Sequence, residues 1–225
     1  MRKFIGGIAL SGLLLCSNSA AAASEEAAAA IAVGKKLLEQ GDVETAISEF
    51  QKAAAIDPKY GAAQLNLGHA YERADRSDEA IDAYRKSIEL EPRNFFARNN
   101  LGVLYSKKGM YDKAIAEFND ALKIEPGSAM ALKNLEIAKK NKAAIQEREA
   151  VIARAQKDVK SNPGDARPIY QLARVYATYG KKEAAMEWLG KAIRQGYKDL
   201  AYVKSDPAFA EMREEREFQL LLLKK

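Results

Sequence analysis

Residues 57–92 read DPKYGAAQLNLGHAYERADRSDEAIDAYRKSIELEP, and the acidic residue followed by proline that opens the stretch returns at its end. Pro58, Pro92 and Pro126 stand 34 residues apart, preceded by Asp57, Glu91 and Glu125. Working outward, Val33-Gly34, Leu67-Gly68 and Leu101-Gly102 fall in register. So do Leu37, Tyr71 and Tyr105; Ala46, Ala80 and Ala114; Phe50, Tyr84 and Phe118; and Ala53, Ser87 and Ala121. A fixed period of this length marks stacked supersecondary units. Proline cannot continue a helix interior, so each one closes a helix. Gly41 and Gly109, with Asp75 between them in register, read as C-terminal caps of the preceding helix. The chain is therefore predicted to be all-α, built of helix pairs. Gly34, Gly68 and Gly102 lie inside the first helix of each pair, where glycine costs about 1 kcal/mol relative to alanine. Close approach of the second helix near Ala46, Ala80 and Ala114 is expected to offset that cost, with the aromatics filling the wedge between units. One pair cannot bury its apolar face alone, so neighbours must stack.

The columns resemble the tetratricopeptide-repeat family, whose pattern has a small residue at position 8, an aromatic at 11, Ala at 20, an aromatic at 24, Ala at 27 and Pro at 32. Units 27–60, 61–94 and 95–128 match nearly every column. Ala30, Gln64 and Arg98 depart from the usual large residue at position 4, and Leu37 from the aromatic at 11. The resemblance implies a right-handed superhelical solenoid of antiparallel helix pairs, about four to five units long. Residues 166–195 read as a further unit, with Leu172-Ala173, Tyr176, Gly180, Ala185, Leu189 and Ala192 at the same spacings. Residues 129–165 are less regular. Leu132, Leu135, Ile137 and Ala138 continue a first helix, but 139–160 is rich in charge and no Gly or Pro appears until Pro163. A degenerate repeat with three inserted residues is one reading. A single helix of up to about 48 Å at 1.5 Å per residue is the other. Residues 196–225 resemble the closing segment of such arrays, where short helices cover the apolar end, and Leu220 to Leu223 are expected in the core of that cap, with a partner-docking sequence as the lesser reading.

The N-terminus reads as a signal peptide over residues 1–23. Arg2 and Lys3 precede an apolar stretch, Phe4 to Leu15, that is shorter than the roughly 20 residues a membrane span needs. Small residues follow, with cleavage expected after Ala22 or Ala23. Lipidation of Cys16, where Leu15 stands in place of the small residue required, and an uncleaved membrane anchor are the lesser alternatives. Removing this segment takes away the only cysteine and leaves 34 basic against 31 acidic side chains. So small and dispersed an excess does not suggest nucleic acid, and no later stretch is apolar enough to span a bilayer. A periplasmic or secreted protein is expected.

Catalysis is not expected: His69 is the single histidine, and no nucleotide, zinc-protease or serine-hydrolase motif occurs. No cofactor or metal is implied. The resemblance places the first helix of each unit on the concave face and implies a peptide-binding groove containing Asn66, His69, Arg73, Phe96, Asn99, Asn100, Lys107 and Asn134. Asn66, Asn100 and Asn134 recur at position 6. Amides there either hold the backbone of an extended peptide or pair with their own neighbours. Arg73, Lys107 and Lys133 would attract an acidic segment, or simply be solvated. The carboxylate clamp that some relatives use for chaperone C-termini is not reproduced: the matching positions are Ile31, Lys35, Asn66, Phe96 and Asn100, and only Asn66 fits. His69 would sense pH or merely contribute surface. The expected function is an envelope scaffold or adaptor that binds another protein or peptide in this groove. Self-association through the array's ends or through residues 139–160 is the alternative.

Overall fold

The structure is a computed structural model describing residues 8–223, with side chains from residue 21. Arg2, Lys3 and the Cys16 side chain of the signal-peptide reading lie outside the described residues. Every described element is helical: α1 (Ile8–Gln40), α2 (Val43–Ile56), α3 (Gly61–Arg73), α4 (Ser77–Leu90), α5 (Phe95–Lys107), α6 (Tyr111–Ile124), α7 (Ala129–Ser161), α8 (Ala166–Thr178), α9 (Lys182–Arg194), α10 (Leu200–Ser205), a 3-10 helix (Pro207–Met212) and α11 (Arg216–Leu223). The chain forms two compact units, Met1–Asn141 and Lys142–Lys225.

In the first unit α1 pairs with α2, α3 with α4 and α5 with α6, and α2 and α4 each pack on the next pair. The residues before the three prolines sit at φ −128° (Asp57), −130° (Glu91) and −129° (Glu125), the extended backbone that proline forces on its predecessor. The first helices end in left-handed residues at φ +84° (Gly41), +57° (Asp75) and +73° (Gly109). Each closes a pair of Schellman bonds, as in Gly41 N–H to Leu38 C=O (3.1 Å) and Asp42 N–H to Leu37 C=O (3.0 Å). Asp42 then accepts from Thr45 N–H (3.3 Å) to start α2, and Asn94 from Ala97 N–H (3.0 Å) to start α5.

The glycine column lies tightly against the second helix of each pair. A Cβ on Gly34, Gly68 or Gly102 would lie 2.5, 2.4 or 2.6 Å from the ring of Phe50, Tyr84 or Phe118. In each case the nearest atoms belong to the aromatic of the same pair, and Ala46, Ala80 and Ala114 are fully buried on the same helices as those rings. The rings also enter the core with the next pair: Phe50 packs in one cluster with Ala63 and Leu67, and Tyr84 in one with Ala97 and Leu101. Arg98, a departure from the family pattern, pairs with Glu117 (3.2 Å) on α6.

The segment with two readings is one continuous helix, α7, of 33 residues. No turn divides it, so the degenerate-repeat reading fails as a helix pair. Its two halves nevertheless keep repeat-like packing. Leu135 and Ala138 join the Ala114 and Phe118 cluster of the first unit. Ile152, Ala155 and Val159 join the core of the second with Ile169, Leu172, Tyr176 and Leu189. A polar contact repeats likewise: Gln51 to the Tyr71 hydroxyl (3.1 Å), Arg85 to Tyr105 (2.9 Å) and Gln156 to Tyr176 (2.9 Å), each 20 residues apart. The second half of α7 thus makes the contact that a second helix makes in the regular pairs.

In the second unit α8 and α9 pair. The C-terminal segment folds onto them and buries Val203, Phe209, Met212, Phe218 and Leu222.

Candidate functional site

The first helices of successive pairs are bridged by polar side chains, which define a face of the first unit. Arg73 on α3 donates to Leu38 C=O on α1 (3.5 Å). Lys107 on α5 pairs with Glu72 on α3 (3.4 Å). Asn100 Nδ2 lies 2.5 Å from His69 Nε2. Asn99 Nδ2 donates to Asn100 Oδ1 (3.3 Å), and Asn134 Nδ2 on α7 donates to Asn99 Oδ1 (3.0 Å). The structure therefore brings together His69, Asn99, Asn100 and Asn134, with Lys107 joined through Glu72.

Asn66 stands apart from that chain. It is 7% exposed and donates back to Ala62 C=O at 2.7 Å, one turn earlier on α3. Asn99 is 3% exposed. The asparagines at position 6 thus bond to their own neighbours. Of the two readings of that column, self-pairing describes the contacts present.

His69 keeps an outer face in solvent while its ring is hemmed in locally. Tyr84 meets it edge-on at 5.8 Å between centroids, and Asn100 closes on Nε2. Burial lowers the His69 pKa below its ordinary 6.5; Glu72 opposes this and Lys35 adds to it. The Tyr84 hydroxyl donates to Glu72 Oε2 at 2.7 Å. Burial, then the bond and charge of Glu72, push its pKa far upward. Sequence reasoning placed Tyr84 in the aromatic column but did not foresee its hydrogen bond to Glu72. The available signal was a lone tyrosine among Phe50 and Phe118, with a glutamate 12 residues before it.

The apolar content of this face is exposed. Phe96 is 57% accessible and meets Phe95 edge to face (5.4 Å between centroids), and Met130 and Ile137 are 46% and 45% accessible. Met130 and Ile137 flank Asn134 at helical spacings of four and three, so they share its side of α7. Lys35, Arg73, Lys107, Lys133 and Lys140 are all exposed.

The corresponding helix of the second unit, α8, is covered by the chain's own tail. Asp206, fully buried, accepts from the Tyr170 hydroxyl (2.5 Å) and from Ala208 N–H (3.0 Å), and pairs with Arg174 (2.6 Å). Tyr197 stacks on Tyr170 at 4.2 Å.

Tetratricopeptide-repeat family profiles match residues 37–85, 83–116 and 166–195. No curated protein matches the chain. Among solved structures, the first TPR of Spaghetti (RPAP3) bound to the HSP90 peptide SRMEEVD is 22% identical, with a TM-score of 0.52 over 53% of this chain and 95% of that one. The second TPR domain of human RPAP3, in complex with the HSP70 peptide SGPTIEEVD, is 23% identical, with a TM-score of 0.50 over 52% and 98%. The Sgt2 TPR domain from Aspergillus fumigatus is 18% identical, with a TM-score of 0.52 over 54% and 82%. The fold they share is typically a non-enzymatic, protein-interaction fold. Helix pairs, left-handed caps and glycine-on-aromatic packing agree with these matches, and the chain carries tetratricopeptide repeats at residues 37–116 and 166–195.

Proposed function

We propose that this chain is a protein-interaction scaffold or adaptor of the cell envelope, holding an extended peptide or partner subunit against the face formed by α1, α3, α5 and the first half of α7. The observation that carries this reading is Phe96. A phenylalanine 57% open to water, on a face that also exposes Met130, Ile137 and several cations, is stabilised by a partner that covers it. Two of the similar structures hold peptides. Apolar side chains and cations exposed on this face supply the attraction.

The envelope setting rests on the N-terminal sequence. Among the described side chains the first buried one on α1 is Ala27, so cleavage after Ala22 or Ala23 would remove no described core residue. N-terminal sequencing of the exported protein should begin near Ser24; an intact Met1 would overturn the processing. Binding is tested by recovery of partners from an envelope extract with the native chain and with Phe96→Ala and Arg73→Ala. Loss of the same partner from both variants supports the face, and unchanged recovery rejects it.

A further inference from the structure

His69, Asn100, Asn99 and Asn134 form a hydrogen-bonded chain across α3, α5 and α7, and every link runs the same way. Asn134 donates to Asn99, Asn99 to Asn100, and Asn100 to His69 Nε2. An amide offers nitrogen on one side and oxygen on the other, so the direction of one link dictates the direction of the next. Asn99 is the obligatory middle. At 3% exposure it cannot exchange a lost partner for water.

We propose that the proton on His69 Nε2 sets the polarity of this amide chain, and that protonating the ring reverses all three links and thereby the group that Asn134 turns toward the binding face. With Asn100 presenting its nitrogen, Nε2 has to accept, which requires a neutral ring with its proton on Nδ1. A protonated ring carries a hydrogen on both nitrogens and can only donate. Asn100 must then turn its oxygen to His69 and its nitrogen to Asn99. Asn99 turns in the same sense, and its nitrogen now seeks Asn134 Oδ1. Asn134, which binds Asn99 through nitrogen at high pH, binds it through oxygen at low pH, and its free edge changes from acceptor to donor. No bond is made or broken apart from the proton taken from water.

The surroundings define the bias. On α1, Lys35 disfavours a charged ring; on α3 itself, Glu72 favours one. On α4, the Tyr84 hydroxyl donates to Glu72. On α5, Lys107 draws on Glu72 as well. Neutral His69 and the present polarity therefore support each other near neutral pH. The relay stands without any ligand, and only its bearing on binding rests on the reading given above.

Because the chain has one histidine, its ring signals in NMR are unambiguous. The full-length protein is titrated from about pH 8 to about pH 5, following the ring nitrogens and the asparagine side-chain amides. The proposal expects Nε2 without a proton at the start, and the amides of Asn100, Asn99 and Asn134 shifting with the His69 midpoint. In Asn99→Leu, Asn100 should still follow His69 while Asn134 stops. An Asn134 amide that does not move in the native chain, or that moves equally in Asn99→Leu, overturns the relay. Should Asn99→Leu fail to fold, His69→Gln, at an exposed position, serves instead: titration of Asn134 must vanish, and its persistence overturns the proposal. Binding to a partner plays no part in these readouts, so a failed partner assay leaves them intact.

Discussion

At Gly68 any side chain would begin 2.4 Å from the Tyr84 ring, which is itself completely buried. Alanine there gains up to about 1 kcal/mol of helix propensity but overpacks a rigid aromatic, which costs about 1–3 kcal/mol. Gly68→Ala should therefore lower stability by about 1–2 kcal/mol in urea unfolding, and by less in a Tyr84→Leu background. Asp75 is the opposite case, a non-glycine at φ +57° where the equivalent residues are Gly41 and Gly109. Asp75→Gly should raise stability by about 0.5–1 kcal/mol, since the strain relieved exceeds the added chain entropy. His69 gives a pH dependence of definite sign. Its folded pKa lies below the unfolded 6.5, so its contribution is complete above that value and is lost as pH falls through the folded one. Urea midpoints should drop on acidification in the native chain, and this part of the drop should disappear in His69→Gln. The glycine and proline columns were readable because single residue types carry their backbone geometry. The asparagine pairing was not readable: whether Asn134 meets a ligand or Asn99 depends on a neighbour 35 positions away.

Among the elements, α7 shows where repeat reading stops. Pro163 and the contact of Gln156 with Tyr176 fit a second helix, and Leu135 and Ala138 fit a first one. What is missing is a glycine or proline to turn the chain between them. The stretch from 139 to 160 has neither Gly nor Pro and is composed largely of helix-forming residues, so local propensity carries the helix through. The C-terminal cap was legible in part: Leu222 is buried as expected, but Leu220 and Leu223 are 48% and 71% exposed, and the latch was not legible. Asp206 lies beside a proline and looks like a turn residue, and it does cap the 3-10 helix. It also meets Tyr170 and Arg174 from α8. Burial pushes the Asp206 carboxyl upward, but the bonds from Tyr170 and Ala208 and the charge of Arg174 outweigh it, so its pKa is lowered. That stability is present above the ordinary carboxylate range and lost as pH falls through the depressed value. Asp206→Ala should cost about 2 kcal/mol, less than a fully buried pair because Arg174 is partly exposed. Hydrogen exchange should report the loss in α8 and α9.

On the scale of the whole molecule, each compact unit has a core of its own. The buried clusters of the first run from Ala27 to Ala138, and that of the second from Ile152 to Leu222. The two units treat the same repeat face differently. In the second, the chain's own tail covers α8, setting Asp206 and Phe209 against its Tyr170. In the first, the equivalent helices leave Phe96, Met130 and Ile137 open and bind one another through a thin polar chain. That difference places the proposed binding surface on the first unit. A photo-crosslinking residue substituted for Phe96, compared with one substituted for exposed Lys86 on α4, tests this most directly in cells. The account predicts a discrete protein adduct at position 96 and none at 86; adducts at 86 with none at 96 would contradict it.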